Sequence, residues 1–94
     1  MAVTVLVPGP LRSFTGGSSE VIIDPSPSTL AEVLESFCQQ CPGIRDRVMT
    51  EQGRIREHIN VFVGSEDVRR TGGLQTPVPN GAQITILPSI SGGK

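Results

Sequence analysis

The sequence has no tryptophan and no tyrosine, and its only aromatic residues are Phe14, Phe37 and Phe62. So few rings argue against a stacked planar cofactor and leave an aliphatic core of Val, Ile and Leu. Histidine occurs once, as His58, and lysine once, as Lys94. No Ser/His/Asp set and no Gly-rich phosphate loop followed by Lys-Ser/Thr is visible, so no catalytic constellation is expected. Two cysteines, Cys38 and Cys41, fall short of the disulfide framework of a small secreted domain. No basic-then-apolar leader opens the chain, and no apolar run approaches the about 20 residues of a membrane span. The formal net charge of −1 supplies no field that gathers nucleic acid or anionic lipid. A cytoplasmic protein that engages neither nucleic acid nor membrane is the expectation.

What remains is one small domain: 94 residues suffice for a single core and not for two. AVTVLV, residues 2–7, reads as a buried strand stopped by Pro8-Gly9-Pro10. A long connection through Leu11 and Phe14, able to hold both against the core, leads to a second strand, SEVIID, residues 19–24. Ser28 or Thr29 can cap the helix LAEVLESFCQQ, with Glu32 at capping-box spacing from Thr29. Leu30, Val33, Leu34, Phe37 and Cys38 recur at helical intervals and make one apolar stripe.

After an irregular stretch with Ile44, Val48 and Met49, HINVFVG gives a third strand. Ile59, Val61 and Val63 share one of its faces, and Asn60 and Phe62 the other. A loop with Glu66, Asp67 and Gly72-Gly73 is expected next, then the Pro79-Asn80-Gly81 turn and a last strand, residues 82–88. The order strand, strand, helix, strand, strand predicts an α+β fold: a mixed sheet of four to five strands with one main helix on one face. Pairing of the first strand with the last is expected at its centre.

The chain closes on SISGGK, residues 89–94. An arm that leaves a strand anchored inside the sheet projects from a rigid body. Gly92 and Gly93 carry no Cβ and can thread a constriction that side chains would block. A carboxylate at the end of such an arm is a poor electrophile until adenylated by ATP; a sulfur nucleophile then yields a thiocarboxylate. A protein working this way needs only its arm and a docking face.

Residues 61–93, together with the order of elements, resemble the MoaD/ThiS family of ubiquitin-like sulfur carrier proteins, whose fold is the β-grasp. DVRRTGGL followed by TPVPNGAQITILP looks most like the CysO-type carriers of cysteine biosynthesis. The resemblance implies a β-grasp domain over residues 1–88 and a flexible Gly-Gly tail over 89–94. It implies Gly93 as the adenylated and thiocarboxylated residue, with Gly92 giving it access. It also implies an E1-like adenylating enzyme of MoeB or MoeZ type, with a sulfurtransferase, as partner. A sulfur-accepting synthase, in the CysO pathway a pyridoxal-phosphate cysteine synthase, and a JAMM-type peptidase would follow. The carrier would be a protein co-substrate, not an enzyme, binding no cofactor itself while its partner consumes ATP.

Lys94 departs from that pattern, because carriers ready to react end at the second glycine. Three readings stand: a precursor trimmed by a peptidase, an appended or altered residue, or a natural variant outside this chemistry. Phe62, Leu74, Leu87 and Ile90 are candidate anchors for a partner, and Asp67, Arg69 and Arg70 either a rim to that surface or a solvated loop. Cys38 and Cys41 have the spacing of half a zinc site or a redox pair, but Cys38 completes the helix stripe, and a structural role is preferred. His58 is expected at a strand edge without a catalytic partner. Gly72-Gly73 reads as a turn rather than a phosphate cradle. Two rivals to sulfur carriage stand: a ubiquitin-like modifier conjugated through Gly93, and a noncatalytic β-grasp interaction module with a plain disordered tail. The sulfur acceptor stays open among cysteine, molybdopterin, thiamin thiazole and thiolated natural products.

Overall fold

Val3, Val5 and Val7 are all but fully buried, whereas Thr4 and Leu6 between them are half-buried, so the first strand shows one face to the core and the other outward. That alternation sets the architecture of the chain, seen here in a computed structural model that describes residues 2–24 and 28–88. β1 (Val3–Leu6) pairs antiparallel with β2 (Glu20–Ile23), and β3 (Ile59–Val63) pairs antiparallel with β4 (Glu66–Asp67). β5 (Gln83–Pro88) lies at the centre, parallel to β1 and antiparallel to β3, giving the order β2-β1-β5-β3-β4.

Helix α1 (Leu30–Gln40) covers one face of the sheet. Its stripe of Leu30, Val33, Leu34, Phe37 and Cys38 joins Val3, Val5, Val61, Ile84 and Ile86 in a single core. Burying side chains of this size stabilises the fold by about 1.5–3 kcal/mol each before ordering costs. The short helix α2 (Arg45–Val48) adds Val48, with Ile44 and Met49 at its ends. Leu11 is buried and Phe14 half-buried, both carried by a 3₁₀ turn over Gly9–Thr15.

One expectation needs correction. Glu66 and Asp67 do not belong to a loop but form the edge strand β4; two residues are too short to show a periodic signal. The helix cap is as expected, with Thr29 as N-cap and Glu32 three residues on. Thr29 Oγ1 accepts from the Glu32 N–H at 3.4 Å, and the Glu32 carboxylate reaches back to accept from the Ser28 N–H (3.1 Å) and hydroxyl (3.0 Å). Those donors hold Glu32 below its ordinary value of 4.5. Val63 lies, as expected, on the same face as Ile59 and Val61, half-buried where it packs at the rim of the core. Among the described residues, no helix is long and apolar enough to cross a membrane.

Candidate functional site

Period-two geometry puts Asn60 and Phe62 of β3, Thr85 and Leu87 of β5, Thr4 and Leu6 of β1, and Glu20 and Ile22 of β2 on the face away from α1. Among the described residues, no element covers that face. One row across it reads Glu20, Leu6, Thr85, Phe62 and Asp67, by strand register. Leu87 sits opposite Asn60 one step nearer the end of β5. Leu87 is 45% exposed and Ile22 51%, the large apolar side chains most open to solvent in the described residues. Leu6 and Phe62 are half-buried between them. An apolar patch rimmed by Glu20 and Asp67 is the kind of surface that a partner protein covers.

Arg69 borders this face but is tied down. Asp67 Oδ1 accepts from the Arg69 N–H at 2.9 Å and caps the 3₁₀ turn Val68–Arg70, which turns the chain back over β3. The Arg69 guanidinium then donates to Asn60 Oδ1 (2.6 Å) and to the carbonyls of Glu57 (3.0 Å) and Ile59 (3.2 Å). It acts first as a clamp on the start of β3. Arg70 is exposed beside it.

Leu74 does not join Phe62 and Leu87. It lies on the helix side, half-buried against the core, in a 3₁₀ turn (Gly73–Gln75) that packs on α1. Gly72 and Gly73 both take positive φ there, 116° and 60°, and make that turn. Ile90, Gly92, Gly93 and Lys94 lie outside the described residues. What the fold does place is the departure point: Pro88, in register with Ile59, is the last residue of the central strand.

The sequence reading missed Leu6 and Ile22. AVTVLV is apolar on both faces, so its run conceals the alternation that the pairing with β2 and β5 makes plain. Cys38 and Cys41 are both buried free thiols, and burial pushes each up, away from the reactive thiolate. His58 is exposed at the start of β3. Among the described residues, no group of three or more His, Cys, Asp or Glu is placed to hold a metal ion.

Comparisons with known proteins agree with this geometry. The chain is 39% identical over 95 aligned residues to the sulfur carrier protein CysO of Mycobacterium tuberculosis, covering 99% of this chain and 100% of that one. A chain of the crystal structure of the Amycolatopsis orientalis BexX/CysO complex superposes with a TM-score of 0.86 at 38% identity, over 97% of this chain and 99% of that one. Small archaeal modifier protein 3 of Haloferax volcanii is 27% identical over 66 residues, 70% of this chain and 71% of that protein. The model of the ThiS family matches residues 5–93, a span that runs from inside β1 through the second glycine of the arm. With the mixed sheet, the single covering helix and the central last strand, this places the chain in the ThiS family, on the ubiquitin-like β-grasp fold.

Proposed function

We propose that this protein is a sulfur carrier of the CysO type, a co-substrate that presents a C-terminal thiocarboxylate to a biosynthetic enzyme. The observation that carries the reading is the whole-length identity of 39% to a CysO sulfur carrier protein, with the Gly-Gly arm inside the matched family span. The fold supports it physically. The arm follows the central strand, which stays paired with β3 to its last residue, Pro88, so its root is fixed, and the glycines beyond it carry no side chains.

In this reading an E1-like adenylating enzyme docks on the open face through Phe62 and Leu87, extended by Leu6 and Ile22. The Gly93 carboxylate attacks the α-phosphorus of ATP and pyrophosphate leaves. Sulfide sulfur then attacks the acyl-adenylate carbon and AMP departs, which leaves Gly93 as thiocarboxylate. Cysteine biosynthesis is the favoured destination, because CysO proteins are among the relatives that match at 38–39% identity over nearly the whole chain. Since Gly93 is in peptide linkage to Lys94 in the sequence as given, removal of Lys94 precedes activation.

The test is to incubate the 94-residue chain and its Lys94-deleted form with ATP, a CysO-type adenylating enzyme and sulfide, then weigh both intact. An oxygen-to-sulfur mass increase on the deleted form alone supports the proposal. Equal increases on both refute the Lys94 step, and none on either refutes the carrier reading. The similarity to small archaeal modifier protein 3 sustains a second reading, conjugation through Gly93. A ladder of larger covalent species on a lysate blot against this protein would favour it.

A further inference from the structure

A second surface lies across the sheet from the open face. Residues 54–57 and the Gly73–Gln75 turn flank a groove of about 660 Å³ on the helix side of β3. Its floor is apolar. Val61 and Val68 are buried beneath it, and Ile55 and Leu74, both half-buried, give it its accessible apolar surface. Arg54, Arg56 and Arg69 line it, with Glu57 as the one acid of the lining.

The three arginines are not equivalent. The Arg69 guanidinium is committed to Asn60 and to the Glu57 and Ile59 carbonyls. Arg56 donates through Nε to the Asp46 carbonyl at 2.7 Å, which holds its stem, and among the described residues its two terminal nitrogens bond to nothing. Arg54 is exposed, and among the described residues its guanidinium has no partner. Its backbone is nevertheless fixed. Thr50 Oγ1 accepts from the Arg54 N–H at 3.1 Å, the Thr50 N–H donates to the Arg54 carbonyl at 2.6 Å, and Met49 bridges to Ile55. Two guanidiniums with donors to spare thus stand over an apolar floor, on a rim that is already formed.

We propose that this groove docks an acidic segment of a partner protein, with a leucine-sized side chain against Ile55 and Leu74 and flanking carboxylates on Arg54 and Arg56. Charge selects this occupant. The arginines outnumber Glu57 in the lining, and a guanidinium fork matches a carboxylate with paired hydrogen bonds. Shape selects a protein segment over a small amphiphile, because the groove is open to solvent, whereas a small ligand is ordinarily enclosed over most of its surface. The groove shares no lining residue with the face that carries Leu6, Ile22, Phe62 and Leu87, so both sides of the sheet can be covered at once. The inference depends neither on the sulfur chemistry nor on docking at the open face.

Nuclear magnetic resonance on the isotope-labelled full chain, without ATP or enzyme, tests it. The probe is a capped peptide that alternates leucine with aspartate; the same peptide with asparagine for aspartate, and octanoate, are the comparisons. Saturable shifts are expected with the aspartate peptide at the amides of Ile55, Glu57, Val61, Val68 and Leu74, several times those at Phe62, Thr85 and Leu87. The affinity should fall with added salt. Arg54→Gln, which removes a side chain that bonds to nothing in the described fold, should weaken it about fivefold. Absence of saturable shifts, equal binding of the asparagine peptide, or an unchanged affinity in Arg54→Gln would overturn the proposal. Tighter binding of octanoate would overturn it by assigning the groove to a small amphiphile. Shifts of the same amides on dilution of the free protein would assign it to a second copy, and contacts from the chain's own end to Leu74 would assign it to the arm; either outcome overturns it.

Discussion

Ile59 and Pro88 face each other in antiparallel register, so the strand that launches the arm is paired to its last residue. Ile59 is buried, 2% exposed, and it anchors that end of β5 to the core. The arm therefore starts from a fixed point, which is what delivery of a carboxylate into a narrow active site demands.

Neighbouring residues of β5 should behave in opposite ways. Ile86 is 1% exposed and sits opposite Val61, so Ile86→Ala should lower the unfolding free energy by about 2–5 kcal/mol in urea titration. Leu87, one residue on, is 45% exposed, and Leu87→Ala should change it by no more than about 0.5 kcal/mol. Similar losses at both positions would show that the alternation is misassigned.

The docking face makes a separate prediction. Leu87→Ala and Phe62→Ala should each weaken binding to a CysO-type adenylating enzyme about tenfold, or about 1.4 kcal/mol, by titration calorimetry. Thermal midpoints of the free proteins should stay close to that of the parent. Leu74→Ala, on the opposite side of the sheet, should lower stability and leave the affinity alone.

Much of this was legible in the residues. Leu30, Val33, Leu34, Phe37 and Cys38 announced the helix to its observed ends, because a one-sided stripe with a cap before it has few other solutions. Asn60 and Phe62 announced the open face by alternation. Leu6 did not, because its strand is apolar on both sides, and only pairing shows which side water reaches. Arg69 and Arg70 look alike as a pair in sequence. Their difference comes from the Asp67 cap, which swings the first guanidinium onto backbone carbonyls ten and twelve residues away. Leu74 and Leu87 look alike in sequence as candidates near the root of the tail; the turn at Gly72 and Gly73 sends Leu74 to the other side of the sheet.

That difference between the arginines can be measured. Arg69→Ala removes donors from the Glu57 and Ile59 carbonyls and from Asn60, and should cost about 1–3 kcal/mol of stability by chemical denaturation. Arg70→Ala should stay within about 0.5 kcal/mol of the parent. A neutral Arg69→Ala would show that water replaces the clamp.

Glu32 sets a pH dependence. Its folded value lies below the ordinary 4.5, chiefly through the Ser28 N–H and hydroxyl, so the unfolded chain binds its proton first as pH falls. The stabilisation is therefore complete above the ordinary carboxylate range and disappears as pH drops through the lowered folded value. Glu32→Gln should reduce stability at neutral pH and flatten the acid limb of a stability-against-pH curve. An unchanged limb would mean that Ser28 and Glu32 do not hold together in solution.

Gly43 offers a test of how the Phe14 ring is held. Its φ of 92° lies where side chains are strained, and an added Cβ would press 3.2 Å from the Phe14 ring. Gly43→Ala should cost about 1–3 kcal/mol from backbone strain, before any displacement of the ring. The useful reading is a double-mutant cycle. Phe14→Ala removes the ring that Gly43 crowds, so the double variant should lose less than the sum of the two single losses, by at least about 0.5 kcal/mol in a denaturation cycle. Simple additivity would mean that ring and glycine are not in contact.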